Sequence, residues 1–156
     1  MWSPHIVFLD ADHTGDRATR ISYTGVIIFV NKATILWYSK KQNTVGTSTF
    51  SSESISLKTA TELVKALWCK LWVLGIPIEV PTNMFCDNEA VYKNASTPEF
   101  KLKNKNVSIC CHNFRESVTG GLARIAKEGT ATNLADLFSS IMVQIRRETL
   151  VDKFTY

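Results

Sequence analysis

Apolar and polar positions change their period several times along the 156 residues. His5-Ile6-Val7-Phe8-Leu9 is a short apolar run. It passes into Asp10-Ala11-Asp12-His13-Thr14-Gly15-Asp16, the pattern of a strand entering a polar turn. Ser22 to Val30 is rich in β-branched and aromatic residues, Asn31-Lys32 can turn, and Ala33 to Ser39 reads as another strand. Three strands with short connections predict an antiparallel meander. The period then becomes helical through Leu57, Ala60, Leu63, Val64, Leu67, Leu71 and Leu74, with Ser51 or Ser52 as cap and Gly75 with Pro77 as stop. Beyond it, Thr82 to Cys86 predicts a short strand ending at Asp87, and Asn88 to Lys93 a short helix. Lys101 to Thr119 is basic and then amphipathic, helical in its second half. Gly120-Gly121 breaks it, Leu122 to Ala126 alternates as a strand, and Thr132 to Met142 reads as a last helix with Thr132 as cap. The order is β-β-β-α-β-α-α-β-α. A strand–helix–strand crossover makes a parallel pair, so the fold class is α/β, a mixed five-stranded sheet flanked by helices. Residues 1–142 read as one domain and residues 143–156 as a charged C-terminal tail.

Composition adds little to this fold but excludes several classes. Hydrophobic residues make up 45% and charged residues 21%, as in an ordinary globular domain that needs no disulfide or zinc staple. No window reaches the roughly 20 apolar residues of a membrane helix, and Met1-Trp2-Ser3-Pro4-His5 lacks the parts of a signal peptide. The expected location is intracellular, with no membrane partner and no secretion. Cys69, Cys86, Cys110 and Cys111 form no Cys-x-x-Cys and read as free buried thiols. The net charge of +4 points mildly to a polyanionic partner. Its distribution says more, with acids Asp10, Asp12 and Asp16 at the start and bases Lys101, Lys103 and Lys105 later.

Four acids carry the candidate chemistry. Asp10 and Asp87 each end an apolar strand, and parallel neighbours would bring both to the edge where open α/β sheets bind ligands. Turn preference alone also puts Asp at strand ends. Glu53 lies four residues before Leu57 on the apolar helix stripe, so it should face the sheet. A buried carboxylate needs a partner there, and a metal ion is one; a Glu favouring the helix start is the other reading. Asp136 sits between Leu134 and Leu137-Phe138, at the margin of the last helix's apolar face; taken alone, a solvated helix acid is the stronger reading. Oxygen ligands without Cys or His select Mg²⁺ or Mn²⁺, and clustered carboxylates can hold two ions for phosphodiester hydrolysis. Asn88, Lys40, Lys41, Gln42, His112 and Arg115 are the candidate substrate contacts, through sugar or phosphate. Asn88 is equally a helix cap, and Arg115 can equally pair with an acid.

Read in order, these segments resemble the ribonuclease H domain of copia-type retrotransposon polyproteins, which follows the reverse transcriptase. The resemblance rests on Asp10-Ala11-Asp12-x-x-Gly15-Asp16, Ser22-x-Thr24-Gly25, Trp37-Tyr38-Ser39-Lys40-Lys41-Gln42 with Thr44-Val45, Ser51-Ser52-Glu53, Phe85-Cys86-Asp87-Asn88, His112-x-x-Arg115-Glu116 and Asn133-Leu134-Ala135-Asp136. It implies that Asp10, Glu53, Asp87 and Asp136 are the catalytic, metal-binding acids. It further implies an RNA–DNA hybrid as substrate, two Mg²⁺ or Mn²⁺ ions as cofactors and a reverse transcriptase polymerase domain as partner in the parent polyprotein. The location would be cytoplasmic, in a virus-like particle of the parent element, or nuclear. The alternative is a non-catalytic relic or domesticated domain that binds nucleic acid or a polymerase partner. Asn106, Cys111 and Ser139-Ser140, which depart from the family's usual residues, favour it.

Overall fold

The computed structural model describes residues 5–13, 18–45, 48–97 and 105–154. Its strands are β1 (His5–Asp12), β2 (Tyr23–Val30), β3 (Ala33–Lys41), β4 (Thr82–Cys86) and β5 (Ala123–Lys127). Its helices are α1 (Thr49–Val73), α2 (Glu89–Ser96), α3 (Lys105–Thr119), α4 (Asp136–Ser139) and α5 (Gln144–Phe154). They form one five-stranded sheet in the order β3-β2-β1-β4-β5. β1, β2 and β3 pair antiparallel, while β4 pairs parallel with both β1 and β5. The mixed sheet expected from the hydrophobic pattern is the one observed.

Period-two alternation sends the two faces of β1 to different neighbours. Val7 and Leu9 are fully buried with Val26, Ile28 and Met84 against Leu57, Ala60 and Val64 of α1 and Phe114 of α3. The other face carries Phe8, packed with Ile27, Phe29, Leu134, Ala135 and Leu150. Phe8 stacks on Phe85 at 5.3 Å between centroids and meets Phe29 edge-on at 6.2 Å. Asn31 takes a φ of 55° in the tight turn between β2 and β3, a left-handed conformation that Asn tolerates.

Several boundaries differ from the sequence reading. β1 continues through Asp12, because β2 pairs with it as far as Asp12↔Tyr23. The cap of α1 is Ser48, which accepts the Ser51 N–H at 3.2 Å; Ser51 and Ser52 lie inside the helix. The helix outruns the sheet, so the last members of its stripe lose their cover, and Leu74 is an exposed C-cap. The last helix shortens to α4. Thr132 does not cap it; its hydroxyl bonds to Gly129 and Glu128 in the preceding loop. Residues of the expected tail form α5, whose Leu150 is fully buried. Cys86, Cys110 and Cys111 are free and buried, whereas Cys69 is exposed.

Gly25 sets the spacing of this second layer. A Cβ there would lie 2.4 Å from the Ala135 carbonyl oxygen and 2.9 Å from the Ser139 nitrogen. Only glycine lets the backbone of α4 approach β2 this closely. Gly25 pairs with Asp10 across the ladder, so the approach brings α4 to the side of that carboxylate.

Candidate metal centre

Three of the four acids converge. Asp10 projects from β1 toward α4 and is 7% exposed. Asp87 follows β4 directly, and the parallel register Phe8↔Phe85 places it level with Asp10 two residues on. Glu53, 4% exposed, reaches the same place from the first turns of α1. One carboxylate oxygen from each of Asp10, Glu53 and Asp87 lies within 4.8 Å of the others.

The backbone around them is held tightly. The Ala11 N–H donates to Glu53 Oε1 at 3.2 Å, and the Ser56 hydroxyl donates to the Asp10 carbonyl at 2.8 Å. Asn133 Nδ2 donates to the Leu9 carbonyl at 3.0 Å, tying the approach to α4 onto β1. The Ser139 hydroxyl donates to Asp10 Oδ2. The Ser22 and Ser52 hydroxyls meet at 2.8 Å, and His13 Nδ1 lies 3.1 Å from the same Ser52 oxygen.

The electrostatics oppose ionisation of the whole set. Burial lifts the Asp10 carboxyl to about 6, with Asp87 and Asp136 adding to the rise and the Ser139 hydroxyl opposing it. Burial, then Asp10 and Asp87, push Glu53 well above the usual carboxylate range, against the Ala11 N–H. Burial also raises Asp87, which a hydrogen bond from the Thr130 side chain counters. Asp12, half-buried on the same face of β1, is raised by burial and by Asp136. Glu53 Oε2 is buried without a hydrogen-bond partner. Oxygen-only donors, an orphaned carboxylate oxygen and acids that destabilise one another's charge are what a hard divalent cation relieves. The residues therefore fit Mg²⁺ or Mn²⁺.

Asp136 is placed differently. It opens α4, near enough to raise Asp10 and Asp87, but lies outside the three-acid set. Its Oδ1 accepts the Ser140 hydroxyl at 2.9 Å, and its Oδ2 accepts the Arg146 guanidinium from α5.

No family model matches the chain. It is 30% identical over 129 residues to the retrovirus-related Pol polyprotein from transposon RE1 of Arabidopsis thaliana, covering 83% of the chain. It is 28% identical over 138 residues, 88% of the chain, to the corresponding polyprotein from transposon RE2 of the same plant. Among solved structures, LC11-RNase H1 in complex with an RNA/DNA hybrid superposes with a TM-score of 0.67 at 15% identity, covering 86% of this chain and 93% of that one. The chain is a homologue of retrotransposon Pol polyproteins with a ribonuclease H fold. The kinship read from the sequence is borne out. The chain spans about a tenth of the length of the Pol polyproteins it matches, 9% of one and 10% of the other.

In this ribonuclease H-type domain the expected substrate contacts scatter. Asn88 is the N-cap of α2, its Oδ1 accepting the Ala90 and Val91 N–H groups; its amide nitrogen is the atom left to donate outward. Lys40 and Lys41 border a cavity of about 400 Å³ between β3, α1 and α3, with Lys58 and Asn106 on its far side. Gln42 is turned inward, in contrast to the expected contact with substrate. Its Nε2 donates to Thr24 Oγ1 and to the Ser52 carbonyl, both at 3.0 Å, clamping the end of β3 to α1. His112 is exposed on α3. One turn on, Arg115 donates through Nη2 to the Asn94 carbonyl at 2.6 Å, closing the C-terminal end of α2. Lys105 is exposed at the start of α3, while Lys101, Lys103 and Asp16 lie outside the described residues. Glu62 is exposed and pairs with Lys58. Sequence reasoning missed Ser56, Thr130 and Arg146. Ser56 left a trace, a small polar residue beside Leu57 on the buried side of α1. Thr130 and Arg146 left none, because each meets its acid only through tertiary packing.

Proposed function

We propose that this domain hydrolyses the RNA strand of RNA–DNA hybrids, using two divalent cations held by Asp10, Glu53, Asp87 and Asp136. The observation that carries the reading is the three-acid cluster with its orphaned Glu53 oxygen, at the strand edge of a ribonuclease H fold. When bound, such ions lower the pKa of an attacking water and stabilise the leaving oxygen of an in-line displacement. The chain's own part is to hold the four carboxylates in fixed positions. Ser56, Asn133 and the Ala11 N–H lock the geometry of β1 against α1 and α4, and the Ser139 hydroxyl favours the charged form of Asp10. Asn88 offers an amide donor beside Asp87, suited to a 2′-hydroxyl. Lys40 and His112 offer exposed donors for phosphate and sugar, with Lys41 half-buried beside them. The partner polymerase is the reverse transcriptase of a parent polyprotein inside the cell, which would hold the hybrid at high local concentration.

A second reading, a domain that binds nucleic acid or a polymerase without cutting, is favoured by the ion pair that already occupies Asp136. Asp87→Asn separates the two. The first reading expects complete loss of hybrid cleavage at an unchanged melting temperature, since the change keeps volume and removes one ligand. Cleavage retained in that variant refutes the site.

A further inference from the structure

Arg146 has no place in the chemistry described above, yet it is built into the centre. Its guanidinium donates to Asp136 Oδ2 and, at 2.8 Å, to the Thr130 carbonyl. The side chain of Thr130 in turn bonds to Asp87, and the Arg146 charge also acts on Asp87. Arg146 stands four residues before Leu150, so both lie on one face of α5. Leu150 is fully buried among Ile27, Leu134 and Ala135, which docks the helix and aims the arginine at α4. The Arg146 side chain is 42% exposed against 14% for Asp136. It can therefore swing into solvent without unpacking Leu150.

The two halves of the acid cluster thus differ in what they lack. Asp10, Glu53 and Asp87 form no ion pair among the described residues, and the Arg146 charge reaches only Asp87, without direct contact. Asp136 forms one with Arg146, and its other oxygen is taken by Ser140. A guanidinium and a divalent cation compete for the same carboxylate oxygens, and their charges repel at short range.

We propose that Arg146 is an internal counter-ion that occupies the place of a second cation at Asp136, so that cations load in sequence. The first enters at Asp10, Glu53 and Asp87 with Arg146 in place. The second is held by Asp136 only after Arg146 has swung away. Arg146 is a positioning residue on this account, and the account rests on the metal-dependent reading of the centre.

The test is a Mn²⁺ titration of the full chain by calorimetry and electron paramagnetic resonance, without nucleic acid. Arg147→Gln serves as control, since it removes the same charge from an exposed neighbour. The unmutated chain and Arg147→Gln should show one tighter and one weaker event. Arg146→Gln should leave the first unchanged and tighten the second roughly three- to tenfold, the scale of a half-exposed ion pair. Should Arg146→Gln fold poorly, the unmutated chain can be read with Mg²⁺ by nuclear magnetic resonance. The Arg146 side-chain N–H signal should hold through the first equivalent and move with the second. A second event equal in Arg146→Gln and Arg147→Gln, or an Arg146 signal that moves with the first equivalent, overturns the inference alone. Absence of any first event overturns the metal-dependent reading as well.

Discussion

On the α1 face of the sheet, Val7, Leu9, Val26 and Ile28 meet Leu57, Ala60 and Val64 in a continuous apolar layer. On the opposite face, α4 is a single turn, held by Gly25, hydroxyl contacts and a smaller cluster around Ile27 and Leu150. The acids divide along the same line. Asp10, Glu53 and Asp87 are fixed by the strands and by the helix that the large layer locks, and none of them forms an ion pair among the described residues. Asp136 rides on the lesser layer, half-buried and paired with Arg146. A site of this kind needs a rigid side that tolerates uncompensated charge and a softer side whose charge is provisionally balanced. The large core supplies the stability that the first arrangement consumes.

Several changes would break or sharpen this contrast. The largest effect belongs to the rigid side: Asp87→Asn should reduce hybrid cleavage below detection while its melting curve stays put. Next, Leu57→Ala, a cavity in the large layer, should cost about 2–5 kcal/mol in urea unfolding. Leu150→Ala, equally buried, should cost less than Leu57→Ala, because α5 can detach without opening the sheet. Equal costs would mean that the two layers are one cooperative unit.

The uncompensated acids also set a pH dependence. Asp10 and Glu53 bind protons more tightly when folded, so their contribution is fully present below their unfolded values and is lost as pH rises through the folded ones. With Asp10 raised from 3.8 to about 6, the metal-free domain should lose about 2 kcal/mol between pH 4 and pH 7 from this group alone. Saturating Mn²⁺ should remove much of that loss. A metal-free stability that rises over this interval would contradict the burial of the acids.

On the softer side, Gly25→Ala should cost about 1–3 kcal/mol, because the new methyl meets backbone atoms of α4. It should also weaken cleavage by displacing Ser139 and Asp136. The smallest effect is expected from Ser139→Ala, about 1 kcal/mol, with the acid limb of the cleavage profile moved to higher pH as Asp10 loses its donor. An unmoved limb would mean that Asp10 does not govern it.

The sequence showed the rigid side better than the soft one, for a physical reason. β1, α1 and β4 announce themselves by long apolar periods, and Asp10, Glu53 and Asp87 stand at fixed offsets from those periods. The buried position of Glu53 follows from its place four residues before Leu57. α4 and α5 carry weaker patterns, because one turn of helix has no period to detect. The helix expected over Thr132 to Met142 therefore shrank to four residues, and the expected tail proved to hold Leu150 and Arg146. Gln42 was read as a substrate contact because it follows two lysines; its burial depends on Thr24 and Ser52, which only the folded chain brings near. Asn88 took the capping role that its position allowed, at the start of α2.

The most direct test of the central claim is incubation of the domain with a labelled RNA–DNA hybrid and Mn²⁺, beside single-stranded RNA and double-stranded DNA. The account predicts scission of the hybrid's RNA strand alone, abolished by EDTA and by Asp10→Asn. Intact hybrid after incubation with folded, Mn²⁺-loaded protein would contradict it, as would equal cutting by Asp10→Asn.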